Sequence, residues 1–225
     1  MIITIDGPIA TGKSTIAKKL AEKLGYIFFD TGAMYRCITY AIIVNKVNVD
    51  EPKELKSFLD TFTFEINMYK GDKRYLIGEN DVTDIIRDQS VTAQVSKVSA
   101  IQAVRDKLVQ LQRSLAVGVN AVFEGRDMGT IVFPSAELKI FLTGRPEVRA
   151  HRRFAELRAK FPKETESLTI EQTIEDINKR DAYDSTRKIS PLVKAKDAFV
   201  VDTSDISADE IVYKILEHKD SLPTR

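Results

Sequence analysis

The sequence predicts an α/β fold: a three-layer sandwich in which a parallel core sheet is flanked by helices. Two observations lead there. Short apolar runs alternate with amphipathic stretches along the chain, and the first run passes through a glycine-rich loop directly into a helix. A third, two alternating segments around a Gly-Asp pair, adds a small antiparallel insertion to that frame. With 225 residues, 43% hydrophobic and 30% charged, the chain is long enough for one sizeable core carrying a small lobe, and short for two full domains.

In chain order, Ile2 to Ile5 is a β-branched strand ending at Asp6. STIAKKLAEKLG follows as a helix with Ile16, Leu20 and Leu24 on one face and Gly25 as its stop. Ile27 to Phe29 reads as a second strand, and Ala33 to about Val44 as a helix opening on an Asp-Thr-Gly turn. EPKELKSFLD is a helix, and FTFEINMYK and KRYLIG form the expected hairpin around Gly71-Asp72. From about Val91 to Leu115 the spacing of Val95, Val98, Ile101, Val104, Leu108 and Leu111 predicts one long amphipathic helix closed by Gly118. Ala121 to Phe123 is the next strand, and LKIFLTG an apolar strand ending in glycine. Pro146 starts a helix toward Lys160, the polar linker FPKETESLT leads to another over about Ile170 to Tyr183, and AFVVD is the last strand. The final helix, SADEIVYKILEH, carries Ser207 as cap with Glu210 at capping-box spacing.

The loop after the first strand is GPIATGKS, with Gly7, Gly12, Lys13 and Ser14 in the G-x-x-x-x-G-K-[ST] spacing of a P-loop. Glycines let backbone N–H groups curl around phosphates, Lys13 reaches the β and γ oxygens, and the Ser14 hydroxyl is suited to ligate magnesium. The helix N-terminus adds partial positive charge at the same place. In sheets of this kind ligands bind beyond the carboxyl ends of the strands. Four strand ends carry suitable turns: Asp6-Gly7, Asp30-Thr31-Gly32, Glu124-Gly125-Arg126-Asp127 and Gly144-Arg145.

Several readings are excluded. Thirty-four basic against thirty-three acidic side chains leave a net charge of +1, so no global field attracts nucleic acid or an anionic membrane. Neither partner is expected. One cysteine, Cys37, forms no internal disulfide, and the opening MIITIDG lacks a signal-peptide pattern, so a reducing cytoplasm is the expected home and packing the expected role of Cys37. Asp-Thr-Gly occurs once, whereas an aspartic protease needs two carboxylates sharing a proton. Asn178-Lys179-Arg180-Asp181 fits the guanine-reading N-K-x-D pattern but lies in a helical stretch, where a GTPase would place it after a strand. His151 and His218 are isolated in sequence and read as solvated surface residues.

Arginines are the remaining signal. Arg36, Arg105, Arg126, Arg145, Arg149, Arg152, Arg153, Arg180 and Arg187 recur near strand ends and in the late helical pair, with Arg145, Arg149 and Arg152 on one helical face. Beside a triphosphate cradle, phosphate binding explains the set better than a solvated helix face.

The motifs ITIDGPIATGKST, DTGAMYR, SKVSAIQAVRDKL, GRDMGTIVFP, FLTGRPEVRAHRR and KRDAYDSTRKISPL together resemble the bacterial cytidylate kinase family over nearly the whole chain. These enzymes are nucleoside monophosphate kinases that transfer the γ-phosphate of ATP to CMP or dCMP. The resemblance implies a single P-loop kinase domain over 1–225, with an acceptor-binding insertion over about 31–95 and a lid over about 145–187. It implies an ATP site at Gly7, Pro8, Ile9, Ala10, Thr11, Gly12, Lys13, Ser14 and Thr15, joined by Arg152 of the lid. Thr31, Arg36, Ser96, Arg105, Arg126, Asp127, Arg180, Asp184 and Arg187 are implied to hold CMP, with Arg36, Arg126 and Arg187 on its phosphate, Ser96, Arg105 and Asp127 at the base, and Arg180 with Asp184 at the sugar. Lys13, Arg126, Arg180 and Arg187 carry the implied catalysis. Magnesium is the implied cofactor, held at Ser14 with Glu124 acting through water; Glu124 stands where many relatives have Asp, and Thr31 where many have Ser. A monomer is expected.

The chemistry suits these residue types. The second pKa of a nucleotide phosphate is near ~6, so the acceptor is largely dianionic at neutral pH and needs no strong general base. The difficulty is to bring two polyanions into line, which cations accomplish. Cytosine offers an exocyclic amine that Asp127 is able to accept, while uracil would present a carbonyl to it. The alternatives are a P-loop kinase for UMP or AMP and a nucleotide-dependent switch protein.

Overall fold

The apolar run at the start of the chain becomes β1 (Ile2–Asp6), and it is the middle strand of the main sheet. The computed structural model describes residues 1–69 and 72–222. It divides into two compact units, one of Met1–Asp30 with Leu115–Arg225 and the other of Thr31–Ser114.

In the first unit five strands lie in the order β2 (Ile27–Asp30), β6 (Ala121–Gly125), β1, β7 (Leu138–Thr143) and β8 (Phe199–Asp202), every neighbour parallel. Side chains alternate across a strand, so Ile3 and Ile5 point to one face of β1 and Thr4 and Asp6 to the other. On the first face Ile3 and Ile5 join Val122, Ile140, Leu142 and Val201 in one core cluster. Ile16 and Leu20 of α1 (Lys13–Leu24) and Ile211, Val212 and Ile215 of α8 (Ala208–Ser221) close it. The second face carries an aromatic row: Phe29 stacks on Phe123 at 4.6 Å between ring centres, and Phe123 meets Phe133 at 4.5 Å. The predicted parallel sheet flanked by helices is therefore the observed one.

Close approach makes Gly7 indispensable at the end of β1. A Cβ there would sit 2.3 Å from the backbone oxygen of Leu142, and the residue has φ of 152°. Gly12 sits at φ 82°, the left-handed conformation that starts α1. At the other end α1 stops on Gly25, whose N–H returns to carbonyls of the last turn, as the sequence suggests.

After β7 come α6 (Pro146–Lys160) and α7 (Ile170–Thr186). A capping box between Thr169 and Gln172 starts α7, which runs a turn past its expected end at Tyr183 and so places Arg180 and Asp184 one turn apart on a single face. The linker 161–169 is not an open tether: Thr165 is buried, its hydroxyl bonded to the Phe161 carbonyl at 2.6 Å. Between β6 and β7, Met128–Val132 forms a π-helical turn that the sequence did not announce.

The second unit holds α2 (Thr31–Val44), α3 (Pro52–Thr61), and an antiparallel sheet of β3 (Glu65–Tyr69), β4 (Asp72–Ile77) and β5 (Asn80–Asp81). The expected hairpin is present; Gly71 of its turn lies outside the described residues. Two expectations need correction here. Asp-Thr-Gly is no turn: Asp30 ends β2 and Thr31 and Gly32 are already helical in α2. The long helix over 91–115 is two helices, α4 (Gln89–Val98) and α5 (Gln102–Leu115). Ser99 breaks it, since its hydroxyl bonds the Ser96 carbonyl at 3.0 Å while Ala100 and Ile101 tighten onto carbonyls three residues back. Hydrophobic period alone does not see such a break, because Val95, Val98, Val104 and Leu108 are buried on both sides of it.

Gly7→Ala should therefore lower stability by about 2–4 kcal/mol, read as a fall in the thermal midpoint, because backbone must shift to admit the Cβ. An unchanged midpoint would show that the Leu142 carbonyl yields freely.

Candidate active site

The P-loop runs from Gly7 to Gly12, between the end of β1 and the start of α1, and its tip is folded back on itself. The Lys13 ammonium donates to the Pro8 carbonyl at 2.7 Å, and the Thr11 hydroxyl donates to the same oxygen at 3.1 Å. Burial, then the neighbouring Arg126 guanidinium, pull the pKa of Lys13 down to about 7; Glu124, Asp6 and Asp184 act the other way.

Around Lys13 the ends of β1 and β6 gather charge. Asp6 is almost fully buried and accepts the backbone N–H groups of Met128 at 2.9 Å and Gly129 at 2.8 Å. Desolvation nonetheless outweighs those bonds and raises its pKa to about 6, with Asp127 adding repulsion. Glu124, buried at the end of β6, is raised to about 7, first by desolvation and then by Asp30, while Lys13, a hydrogen bond with Ser14 and Arg126 oppose the shift. The P-loop hydroxyl expected to face a metal thus meets the carboxylate expected beside it.

Arg126 leaves β6 and its Nε donates to the Asp184 carboxylate of α7 at 3.0 Å. Arg180, one turn before Asp184, is mostly buried, and its Nε has no hydrogen-bond partner. Burial and then repulsion from Arg126 lower its pKa, with Arg153 adding to the repulsion. Lys13, Arg126 and Arg180 therefore form a cationic cluster in which each crowds another, with Asp184 shared among them. Arg187, just past α7, donates from Nε to the Ser190 carbonyl at 2.7 Å. Asp127 is buried and begins the π-helical turn, its carbonyl accepting the N–H of Ile131 at 2.9 Å.

Other arginines in this unit are also engaged by protein groups, Arg153 pairing with Glu156 at 2.9 Å. Arg145 makes a two-point ion pair with Asp205, Arg149 is buried against Asp181, and Arg152 donates to the Thr203 carbonyl at 2.5 Å and hydroxyl at 3.1 Å. Of these, Arg149 alone is buried; Arg145 and Arg152 are exposed. His151 is exposed as expected, whereas His218 is half-buried and stacks on Phe199 at 4.0 Å.

The remaining candidates lie in the second unit. Arg36 of α2 donates to the Ile86 carbonyl at 3.1 Å and the Thr92 hydroxyl at 2.8 Å. Arg105 of α5 is buried over the Tyr35 ring, 5.6 Å from its centre, and donates to the Ser99 carbonyl at 3.4 Å. That carbonyl lies in the break between α4 and α5, as Ser96 lies just before it. Thr31 is buried at the first position of α2, and Cys37 is buried in the same helix and in no disulfide, in keeping with the packing role expected of it.

The sequence reading missed Asp6, which holds the turn after Asp127, and Asp181, which holds the P-loop. Asp6 had a visible signal: a carboxylate closing an otherwise apolar buried strand requires a partner. Asp181 had none, since only the fold brings α7 to the P-loop.

Asp6 and Glu124 both have raised pKa values, so the stability contributed by their protonated forms is complete below pH 3.8 and 4.5 respectively and is lost as pH rises through about 6 and 7. Glu124→Gln should accordingly be more stable than the parent above pH 7 without nucleotide, by about 1–3 kcal/mol, and match it near pH 4.5. Thermal melts of the two proteins from pH 4.5 to 8 check this; curves that run parallel would contradict the buried carboxylate.

A cytidylate kinase family model matches residues 3–221. A cytidylate kinase of Protochlamydia amoebophila is 62% identical over 225 residues, covering 100% of this chain and 99% of its own. One from Halalkalibacterium halodurans is 45% identical over 96% of both chains. Among solved structures, the shikimate kinase of Bacteroides thetaiotaomicron matches at a TM-score of 0.50 over 98% of each chain with 12% identity, a likeness of fold alone. With its family pattern running over nearly the whole length and full-length relatives at this level of identity, the chain belongs to the cytidylate kinase family.

Proposed function

We propose that the protein transfers the γ-phosphate of ATP to CMP or dCMP, giving CDP or dCDP and ADP. The observation that carries this reading is the cluster of Lys13, Arg126 and Arg180 at the strand ends beside the P-loop. Its positive charges, buried at Lys13 and half-buried at the two arginines, repel one another, so a polyanion is the ligand that relieves them. Family membership supports cytidylate as the acceptor.

In this reading Gly7, Pro8 and Ile9 shape the loop, and the backbone N–H groups from Ala10 to Thr15 and the Lys13 ammonium hold the phosphates of ATP. Phosphate oxygens take the place of the Pro8 carbonyl on Lys13 and draw its pKa back up. Arg126 and Arg187, with Arg36, bind the acceptor phosphate; Arg180 and Asp184 bind its sugar. Asp127 accepts the cytosine amine, Ser96 and Arg105 donate to the base, and Thr31 lines the acceptor site. Helices α6 and α7 serve as the lid, with Arg152 on the ATP side, and exclude water that would otherwise hydrolyse the donor.

Magnesium fits the group formed by the Ser14 hydroxyl and the Glu124 carboxylate, which already meet through a hydrogen bond. A magnesium ion ordinarily keeps several waters and takes one or two protein oxygens beside phosphate, so these residues suffice to hold it, Glu124 through water. When bound it neutralises charge on the β- and γ-phosphates. A monomer is part of the proposal, and sedimentation at assay concentration tests it. Among the described residues no helix is long and apolar enough to cross a membrane. A cytoplasmic location is part of the proposal, and the lone Cys37, buried and in no disulfide, suits reducing surroundings.

A coupled assay with CMP, dCMP, UMP and AMP tests the acceptor. CMP and dCMP should be preferred, and an equal rate on UMP or AMP would move the protein to the neighbouring reading of a broader nucleotide kinase. Asp127→Ala should cost about 1–3 kcal/mol in transition-state binding of CMP and narrow the gap to UMP. Lys13→Ala should cut kcat at least about a hundredfold with an unchanged circular dichroism spectrum. Near-normal turnover would remove Lys13 from the reaction.

A further inference from the structure

The tip of the P-loop is gripped from outside by two residues to which the reaction gives no role. The peptide group ahead of Ile9 donates its N–H to the Asp181 carboxylate of α7 at 3.2 Å. On the other side of the same residue, the Ile9 carbonyl accepts from Arg149 Nη1 of α6 at 3.1 Å. The two gripping side chains are themselves joined, Arg149 Nη1 to Asp181 Oδ2 at 2.5 Å, and Arg149 Nε is anchored on the Gly144 carbonyl at 2.9 Å. Arg149 is 5% exposed. Both polar groups of one loop residue are thus taken by an ion pair, its arginine buried and its carboxylate half-buried, spanning the two helices that follow β7.

The next residue explains why such a grip is needed. Ala10 has φ of 60°, in the left-handed region where a side chain is strained. A strained residue persists where its surroundings over-determine it. Contacts from within the loop, Lys13 and Thr11 on the Pro8 carbonyl, fix only the near side of Ile9. Release of Ile9 would let the Ile9-Ala10 peptide rotate toward the ordinary helical or extended regions and withdraw its N–H groups from the cradle.

We infer that Arg149 and Asp181 are positioning residues for the nucleotide-donor site: as a clamp on Ile9, they hold the strained P-loop tip in the conformation that receives the phosphates of ATP. The inference rests on the reading of the P-loop as the ATP site. It also couples the loop to α6 and α7, because any displacement of either helix pulls on Ile9. The clamp never touches the acceptor, so its effect falls on the donor alone.

The test is steady-state kinetics with ATP and CMP varied in turn, and ATP binding by calorimetry, on the whole protein. Asp181→Ala and Asp181→Asn are compared with the parent. If the competent loop falls to a tenth of the population, the apparent affinity for ATP falls about tenfold. KM for ATP is expected to rise by about that factor, KM for CMP by less than about twofold, with the rise in KM exceeding any fall in kcat. Adding Ala10→Gly to Asp181→Ala should recover ATP affinity by more than Ala10→Gly changes it in the parent, because glycine carries no left-handed strain. Equal losses for both substrates, an unchanged KM for ATP in folded Asp181→Asn, or no additional recovery with glycine would each overturn the clamp. A parent protein that fails to bind ATP would instead overturn the proposed function, which separates the two.

Discussion

The carboxylate of Asp6 is the contact on which the functional end of the main sheet depends. It ends the central strand, where the chain must stop being apolar sheet and become a phosphate loop, and it captures the N–H groups of Met128 and Gly129. Hydrogen bonds to a charged group contribute about 1.5–3 kcal/mol each, enough to hold an irregular π-helical turn in place. That turn begins at Asp127 and follows Arg126, so one carboxylate fixes the P-loop's first glycine and the neighbouring Gly-Arg-Asp segment to a common point. Gly129 lies close to Thr4 and Lys139, which leaves the turn no slack.

Around that point the protein stores unfavourable electrostatics. Lys13 and Arg180 are pushed toward their neutral forms and Asp6 and Glu124 toward their protonated ones, all principally by burial. Such a cluster is a poor source of stability, because desolvation costs more than pairing returns. It is a good receptor, since charges already positioned in a low-dielectric setting need no reorganisation when phosphate arrives. Arg126 illustrates the economy of the arrangement: it pairs with Asp184 and, through that carboxylate, stays within reach of α7.

The helices after β7 hold the P-loop through Arg149 and Asp181. Without nucleotide, Arg145, Arg149 and Arg152 are held by Asp205, Asp181 and Thr203. An arginine's forked guanidinium suits this work, because it binds several carbonyl and carboxylate oxygens at fixed angles. The consequence is a P-loop whose shape is set partly by side chains more than a hundred residues away.

By itself the sequence determined the α/β class, the strand-loop-helix start with its glycine-rich loop, and the caps of α1 and α8. Each of these is local: hydrophobic period, glycine at an obligatory backbone position, or a hydroxyl and an acid three residues apart. What only the tertiary structure decided was every pairing across the chain: Asp6 with Met128 and Gly129, Ser14 with Glu124, Arg126 with Asp184, and Arg149 and Asp181 with Ile9. It decided as well that the helical pattern over 91–115 breaks at Ser99, where a side-chain hydroxyl outcompetes the backbone ladder. Periodicity records which face of a segment is apolar, but a buried ion pair depends on which two segments the sheet order brings together, and that order is a property of the folded whole.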